Sequence, residues 1–431
     1  MAAATYSVTT GSSDLVKLAR KVQGPLMTGY ATECDELTWH NKLKRFKLAA
    51  SQREVTAPLD IVRARGQGSS ITEGGYEANP ITTAPNELTF TFIHRNHRYS
   101  FSRTAELLGS QGSAADVFDK MKFQARKIRE AMCEHFAFAT YGYSTGVVAL
   151  TSTNATQSSG TYTLKDLYGE ADLDTAASLA QPFGVGSRVA LRRSGSIVTN
   201  AIGSVTAVSD ANGTIDVTWN GSVDSNDADE VLFANSLENT TLAGGTDHNK
   251  FPIGFLDVSN TASIHGLSSA TATLWNVALA DSSGGRFGFV KLRRGQNAIR
   301  NKGGGDPDTL VMAQAVEADM TDNLMAASRY NNTLAMQLDG ATVIKGVEIK
   351  GTRWTPDSRA WLFDSSSVNV WHPVGQMPDA SGMLPDSSDN LVITDKLQDI
   401  SGKAVGVDYI YARVFTNRGN IAYYSGLTSA Y

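Results

Sequence analysis

The stretch Glu87–Ser102, ELTFTFIHRNHRYSFS, decides how this chain is read. Leu88, Phe90 and Phe92 alternate with Thr89, Thr91 and Ile93, the period of two that marks a β-strand. A second extended run, Val55–Ala64, precedes it, and the segment between them is punctuated by Gly66, Gly68, Gly74, Gly75, Pro80 and Pro85. The pair predicts a long two-stranded hairpin with a Gly-rich tip. Such a hairpin is marginal in water on its own, so its apolar side needs a partner surface. The Lys/Arg content of residues 52–104 is entirely arginine (Arg53, Arg63, Arg65, Arg95, Arg98, Arg103). Arginine is the cation favoured at protein interfaces, where its planar fork pairs with carboxylates. The stretch therefore reads as a loop lying on another subunit, with Arg63, Arg65, Leu88, Phe90, Phe92, Arg95 and Arg98 as the candidate intersubunit contacts. An active-site lid is the plainer alternative.

C-terminal to the loop comes the strongest helical pattern, Ser113–Tyr141. Ser113 with Asp116 resembles an N-cap signal, and Val117, Met121, Ile128, Met132, Phe136 and Ala139 recur at multiples of three and four. Gly142 stops it. At ~1.5 Å per residue this is a beam about 40 Å long. N-terminal to the loop, residues 1–51 read as an arm. It is polar to Ser13, briefly helical around Leu15, Leu18 and Val22, then basic at Lys42, Lys44, Arg45 and Lys47. A charge run is usually a solvated face; the sharper reading makes these four residues contacts to a scaffold or DNA.

Residues 151–250 are rich in Ser, Thr, Asn and Gly. Short runs at Ser187–Arg192, Ile202–Val208, Thr214–Trp219 and Glu230–Phe233 are separated by turn clusters, which predicts a small inserted β-barrel or sandwich over about 182–236. From 251 to 395 the pattern is mixed: helix at Gly288–Asn301, strand at Thr309–Ala313, helix at Ala315–Arg329, then strands at Thr342–Ile349, Ala360–Phe363 and Val368–Trp371. In residues 396–431, Asp408–Thr416 and Asn420–Ser425 around Asn417-Arg-Gly read as a hairpin. The fold class is α+β.

At 431 residues the chain can bury two or three cores. Its net charge of −5 opposes a protein that holds nucleic acid by its phosphates. Cys34 and Cys133 offer neither zinc spacing nor a disulfide framework, and read as reduced thiols of a cytoplasmic protein. No signal peptide and no apolar run of membrane-spanning length is found.

Catalytic motifs fail on context. Gly142-Tyr-Ser144-Thr-Gly146 matches G-x-S-x-G, but a nucleophile elbow has a strand before the serine and a helix after it, the reverse of this order. His94 and His97, three apart in a strand, point to opposite faces. The run Gly303–Asp308 lacks the spacing of a P-loop or an EF-hand. The expectation is no enzyme, no cofactor and no metal.

The order of these pieces resembles the shell-forming subunit of tailed bacteriophages, the Hong Kong phage-type capsid fold. The matching pieces are the polar arm, the hairpin with its Gly-rich tip, the spine helix at 113–141, the helix–strand–helix segment Phe289–Arg329 and the closing strands around Asn417-Arg418. The resemblance implies a peripheral domain (105–150, joined by 396–431), an axial domain (251–395) at local symmetry axes, and an extended loop (52–104) reaching over a neighbour. The insertion (151–250) would decorate the outer surface.

By the same resemblance the chain assembles with itself into hexamers and pentamers of an icosahedral head. A separate scaffolding protein, a portal and a decoration protein are implied partners, and packaged double-stranded DNA lies near without specific contact. The location implied is the virion, with assembly in the host cytoplasm. Some members weld the shell through a lysine on the extended loop. No lysine lies between Glu54 and Arg103 here, so a non-covalent shell is implied. The alternatives are an encapsulin-like compartment shell, a phage tail or baseplate component, and a β-rich glycan-active enzyme.

Overall fold

The computed structural model describes residues 44–48, 54–59, 86–102, 134–169, 179–234, 251–269, 275–328, 342–344, 346–373, 391–394 and 402–429. In chain order it opens with β1 (Lys44–Leu48), β2 (Glu54–Leu59), β3 (Asn86–Thr91), β4 (Ile93–Ser102) and a helix α1 at residues 134–141. Six strands follow: β5 (Val147–Thr151), β6 (Ala155–Lys165), β7 (Arg188–Arg193), β8 (Ser196–Ser209), β9 (Thr214–Ser225) and β10 (Glu230–Phe233). Next come α2 (Phe255–Asn260), β11 (Ser263–Ile264), β12 (Leu267–Ser268), β13 (Leu279–Asp281), α3 (Phe289–Lys302), β14 (Thr309–Ala313) and α4 (Gln314–Ser328). The remainder is β15 (Thr342–Ile344), β16 (Val347–Thr352), β17 (Ala360–Phe363), β18 (Val368–Pro373), β19 (Leu391–Thr394), β20 (Gly402–Phe415) and β21 (Ile421–Tyr424).

A six-stranded mixed sheet, ordered β13-β21-β17-β14-β16-β15, divides the molecule. Its central strands are buried on both faces, so they read as continuous apolar runs, TLVMA in β14 and AWLF in β17. Alternation assigns the faces. Val311, Trp361, Phe363, Ile421 and Tyr423 join one core. Leu310, Met312, Leu362, Ala422 and Tyr424 face the other, which α3 and α4 close with Leu292, Ile299, Val316 and Met320.

β5 to β10 close into a barrel in the order β10-β5-β6-β9-β8-β7. It is larger than the 182–236 read from the sequence, because β5 and the eleven-residue β6 complete the ring. Thr and Ser outside alternate with apolar residues inside along β6 and β9, and Gly213 takes the positive φ (60°) that the β8–β9 turn demands. Inside, Trp219 Nε1 donates to the Tyr162 hydroxyl (2.7 Å). The barrel interior and the main body form one continuous core, from Val217 and Val223 through Tyr168 and Phe138 to Trp361 and Phe415.

Long-range pairing alters three sequence expectations. β2 and β3 do form an antiparallel ribbon, Glu54 opposite Thr91 and Leu59 opposite Asn86, but the second run breaks at Phe92. Beyond the break, β4 leaves the ribbon and pairs with β20 over its whole length, Ser102 with Gly402 and Ile93 with Tyr411. The basic run Lys44–Leu48 is not a free arm: as β1 it lies parallel to β18, Lys44 opposite Asn369.

The closing strands are not a hairpin either. β20 belongs to the sheet of β1, β18, β19 and β4, whereas β21 pairs with β13 and β17. Between them Asn417 caps a short 3₁₀ turn at Gly419 N–H (2.9 Å), and that turn redirects the chain to the other sheet. The predicted Thr342–Ile349 strand is itself split at Gly346 (φ 82°) into β15 and β16. Of the predicted spine helix, residues 113–133 lie outside the described residues; its final turns at 134–141 are helical and buried.

Candidate assembly surfaces

The base of the ribbon is packed on its own subunit. Leu88 and Phe90 are 2% and 5% exposed and share a core cluster with Leu267, Trp275, Ala412 and Val414. The Phe90 ring lies 5.2 Å from Trp371, and edge-on to Phe92 and His265 at 6.2 Å. Phe92 is half-buried at the rim of the same cluster. This corrects the expectation that Leu88 and Phe90 await a neighbouring copy; Phe92 is covered only in part. The apolar side of the strand was read correctly, but its cover comes from β12, β18 and β20 of the same chain.

His265 anchors this docking. His265 and Gly266 have φ of 53° and 77° in the two-residue turn between β11 and β12, the left-handed pair that tight hairpins require. The His265 carbonyl accepts Thr89 N–H (2.9 Å), and its Nε2 accepts Phe415 N–H (3.2 Å). Burial pushes the imidazole pKa down to about 4, so it is a neutral acceptor at pH 7.

A second polar network joins α1, α2 and β20. Arg413 is 1% exposed; its guanidinium donates to the carbonyls of Ala139 (3.1 Å) and Ile253 (3.3 Å) and to Thr140 Oγ1 (2.7 Å). A cation there complements the C-terminal end of α1. Arg418, also buried, donates to the carbonyls of Val258, Thr261 (3.0 Å) and Trp275 (3.3 Å), and burial lowers its pKa to about 10. At the opposite end of α2, the Asp257 carboxylate accepts the N–H groups of Ser144 (2.6 Å) and Gly254 (3.1 Å) and the Ser144 hydroxyl (3.3 Å). Desolvation raises its pKa to about 6 against those hydrogen bonds. Ser144 is thus a strut between two helix ends, in a turn that follows a helix and precedes β5, and its hydroxyl is committed to Asp257. The glycine run 303–305 is likewise structural: Asn420 Oδ1 accepts Gly305 N–H (3.1 Å) and Asn417 Nδ2 donates to the Gly303 carbonyl (3.1 Å).

Among the described residues, the outward face of α3 is the most charged helical surface. Arg293, Arg294, Asn297 and Arg300 are exposed, and Val290 is 81% exposed beside them. Arg294 reaches Asp281 (3.3 Å), Arg300 reaches Asp306 (2.6 Å), and Arg293 lies over the Phe289 ring at 5.6 Å. Sequence reading passed over this face, although its signal was present: six charged or amide side chains from Lys291 to Arg300 without one carboxylate.

Of the other candidate contacts, Lys42, Arg63 and Arg65 lie outside the described residues. Lys44, Arg45 and Lys47 sit on β1. Arg95 and Arg98 sit on β4, their backbones opposite Tyr409 and Gly406. Among the described residues no group of three or more His, Cys, Asp or Glu could hold a metal, and no helix is long and apolar enough to cross a membrane.

Among the described residues, a closed barrel and two sheets joined through the turn between β20 and β21 make a mixed α/β fold of the capsid-subunit class. The solved structures bear this out. The chain is similar to the subunit of the cyanophage A-1(L) capsid asymmetric unit, with a TM-score of 0.51 at 12% identity, covering 94% of this chain and 96% of that one. Weaker likenesses include the capsid of an empty GTA particle (TM-score 0.45, 10% identity, 94% of each chain). Another is the holo-SrpI encapsulin complex of Synechococcus elongatus PCC 7942 (0.45, 10%, 96% of each). No family model and no curated relative matches the sequence. The chain has the phage-capsid fold.

Proposed function

We propose that this chain is the structural subunit of a tailed-phage head, tiling with copies of itself into a closed shell around double-stranded DNA. The observation that carries this is the end-to-end fold correspondence with the cyanophage capsid subunit, over 94% of this chain and 96% of that one. The buried networks around Asp257, Arg413 and Arg418 serve the fold, which accords with a structural role. The net charge of −5 suits a wall that should not adhere to packaged duplex.

In this reading the loop tip with Arg63 and Arg65 makes contacts between subunits, the barrel decorates the outer surface, and a scaffolding protein and a portal complete the head. The weld-free shell is held by many modest contacts whose last members act at high effective concentration. Negative-stain microscopy of the purified chain tests it. Closed particles, capsomers or sheets are expected; a monodisperse monomer at every concentration and salt would rule the proposal out.

A further inference from the structure

We infer that Asn212, at the tip of the β8–β9 turn, is a self-modification site. The backbone nitrogen of Gly213 displaces its side-chain amide and leaves aspartate and isoaspartate in the barrel. The substrate is the chain itself and the co-reactant is water. Asparagine is among the chemically labile side chains. The sequence contains two Asn-Gly pairs, Asn212-Gly213 and Asn220-Gly221. A glycine in second place matters because no Cβ crowds the attacking nitrogen and the backbone turns freely. The structure sets the two pairs apart.

Asp210, Ala211 and Asn212 form a single 3₁₀ turn, and all three are exposed. The residue before them, Ser209, gives the turn no side-chain cap. Gly213 N–H reaches the Asp210 carbonyl at 3.4 Å, beyond the ordinary N–H···O range. The nitrogen that must attack is therefore weakly held, although the Gly213 carbonyl is anchored by Leu164 N–H (3.0 Å). Among the described residues no hydrogen bond restrains the Asn212 carboxamide. One short turn at a loop tip opens readily. Asn220-Gly221 lies instead within β9, between Trp219, paired with Gly203, and Val223, paired with Gln157. The Asn200 side chain stands 3.0 Å from the place a Cβ on Gly221 would take. Swinging that nitrogen onto the neighbouring carboxamide means pulling the strand out of the barrel wall.

The chemistry balances with water alone. Gly213 N gives up its proton to solvent base and bonds to Asn212 Cγ. The Cγ–Nδ2 bond breaks, ammonia leaves with the proton, and a cyclic imide closes. Water then opens the ring. Cleavage of the bond from nitrogen to Cγ leaves aspartate; cleavage of the bond from nitrogen to the main-chain carbonyl carbon leaves isoaspartate, with the chain running through Cγ. Water enters, ammonia departs, and nothing is oxidised or reduced. Either product places a new carboxylate beside the exposed Asp210 turn. Isoaspartate also lengthens the backbone of the turn that holds Ser209 opposite Thr214. The barrel thus carries a slow, irreversible marker of its age at the β8–β9 end, whatever the chain assembles into.

The test is peptide mapping by mass spectrometry of the full folded chain stored at mildly alkaline pH, with a denatured sample stored alongside. The Asn212 peptide should gain the mass difference between an amide and an acid and convert several-fold faster than the Asn220 peptide of the same molecules. Its products should include isoaspartate, which an isoaspartyl methyltransferase labels. Mildly acidic storage should slow the conversion, because the attacking nitrogen must lose a proton. A folded chain whose Asn212 peptide stays unchanged while the denatured chain converts overturns the inference. So does aspartate without isoaspartate, or an Asn220 peptide that converts as fast. Asn212→Gln, whose longer side chain closes a ring reluctantly, should melt like wild type and lose the methyltransferase label; undiminished labelling of that variant would place the reaction elsewhere and overturn the assignment.

Discussion

Phe90→Ala separates a side chain that holds the subunit together from one that holds the shell together. The ring is 5% exposed, 5.2 Å from Trp371 and edge-on to Phe92 and His265. Truncating a buried phenylalanine costs roughly 3–5 kcal/mol, from lost transfer energy and the cavity left behind. The cluster is small and its rim, at Phe92 and Leu59, is only half-buried, so it can partly collapse and the low end, about 3 kcal/mol, applies. With a urea m-value of about 3 kcal/mol/M for a chain of this size, the unfolding midpoint should fall by about 1 M. Trp275 and Trp371 report on the site directly, since both belong to or touch the cluster. The measurement is urea unfolding by tryptophan fluorescence, at concentrations where the subunit is unassembled. A variant with the wild-type midpoint that nevertheless fails to assemble refutes this reasoning, because the ribbon would then find its cover on a neighbour.

Arg418→Met deprives the carbonyls of Val258, Thr261 and Trp275 of a donor; a loss of about 3–5 kcal/mol is expected in denaturant unfolding, and Arg418→Lys, which lacks the fork, should recover little of it. Asp257, with a folded pKa of about 6 against an ordinary 3.8, contributes stability that is full below about pH 4 and lost as pH rises through 6. Asp257→Asn should therefore gain on wild type by about 3 kcal/mol between pH 4 and pH 7, read from unfolding at each pH. His265 works in the opposite direction: its folded pKa of about 4 lies below the ordinary 6.5, so its contribution is present above pH 6.5 and lost as pH falls toward 4. His265→Gln should lessen acid destabilisation across that window, and an unchanged slope would mean the imidazole is not a buried acceptor. Gly254→Ala should fail to fold at 37 °C, because a Cβ there meets the Gly142 backbone carbonyl; soluble wild-type-like protein would show that the α1–α2 joint is looser than its geometry.

What could be read from the sequence divides by distance along the chain. α3, β14, α4 and β17 fall within a residue or two of their sequence limits, because capping, periodicity and apolar runs are local signals. β4 and β20 meet across about three hundred residues, and β1 meets β18 across a similar span; no local pattern encodes either pairing. The Phe90 alternation marked which side of the strand is apolar, but periodicity does not say whose surface covers it. Asn417-Arg-Gly looked like a hairpin turn because its residue types suit one, while the deciding residue, Arg418, was committed to carbonyls some 160 positions away. The basic face of α3 left a signal in its lack of acids, which a sequence does not distinguish from an ordinary solvated face.

The distribution of buried polar groups says where such a shell can yield. Arg413 and Arg418 flank the crossing from β20 to β21, and their hydrogen bonds tie α1, α2 and the Trp275 segment to one short stretch of chain. Moving any one of these elements leaves a buried cation or carbonyl without its partner, which costs several kcal/mol. The joint between barrel, helix end and sheets is therefore rigid on the scale of a subunit contact. In the proposed shell a subunit that occupies unequal positions must adapt somewhere, and the cheap places are exposed ion pairs between neighbours, each worth about 1 kcal/mol or less and easily remade. A stiff interior with adjustable surface contacts is what the proposed shell subunit requires.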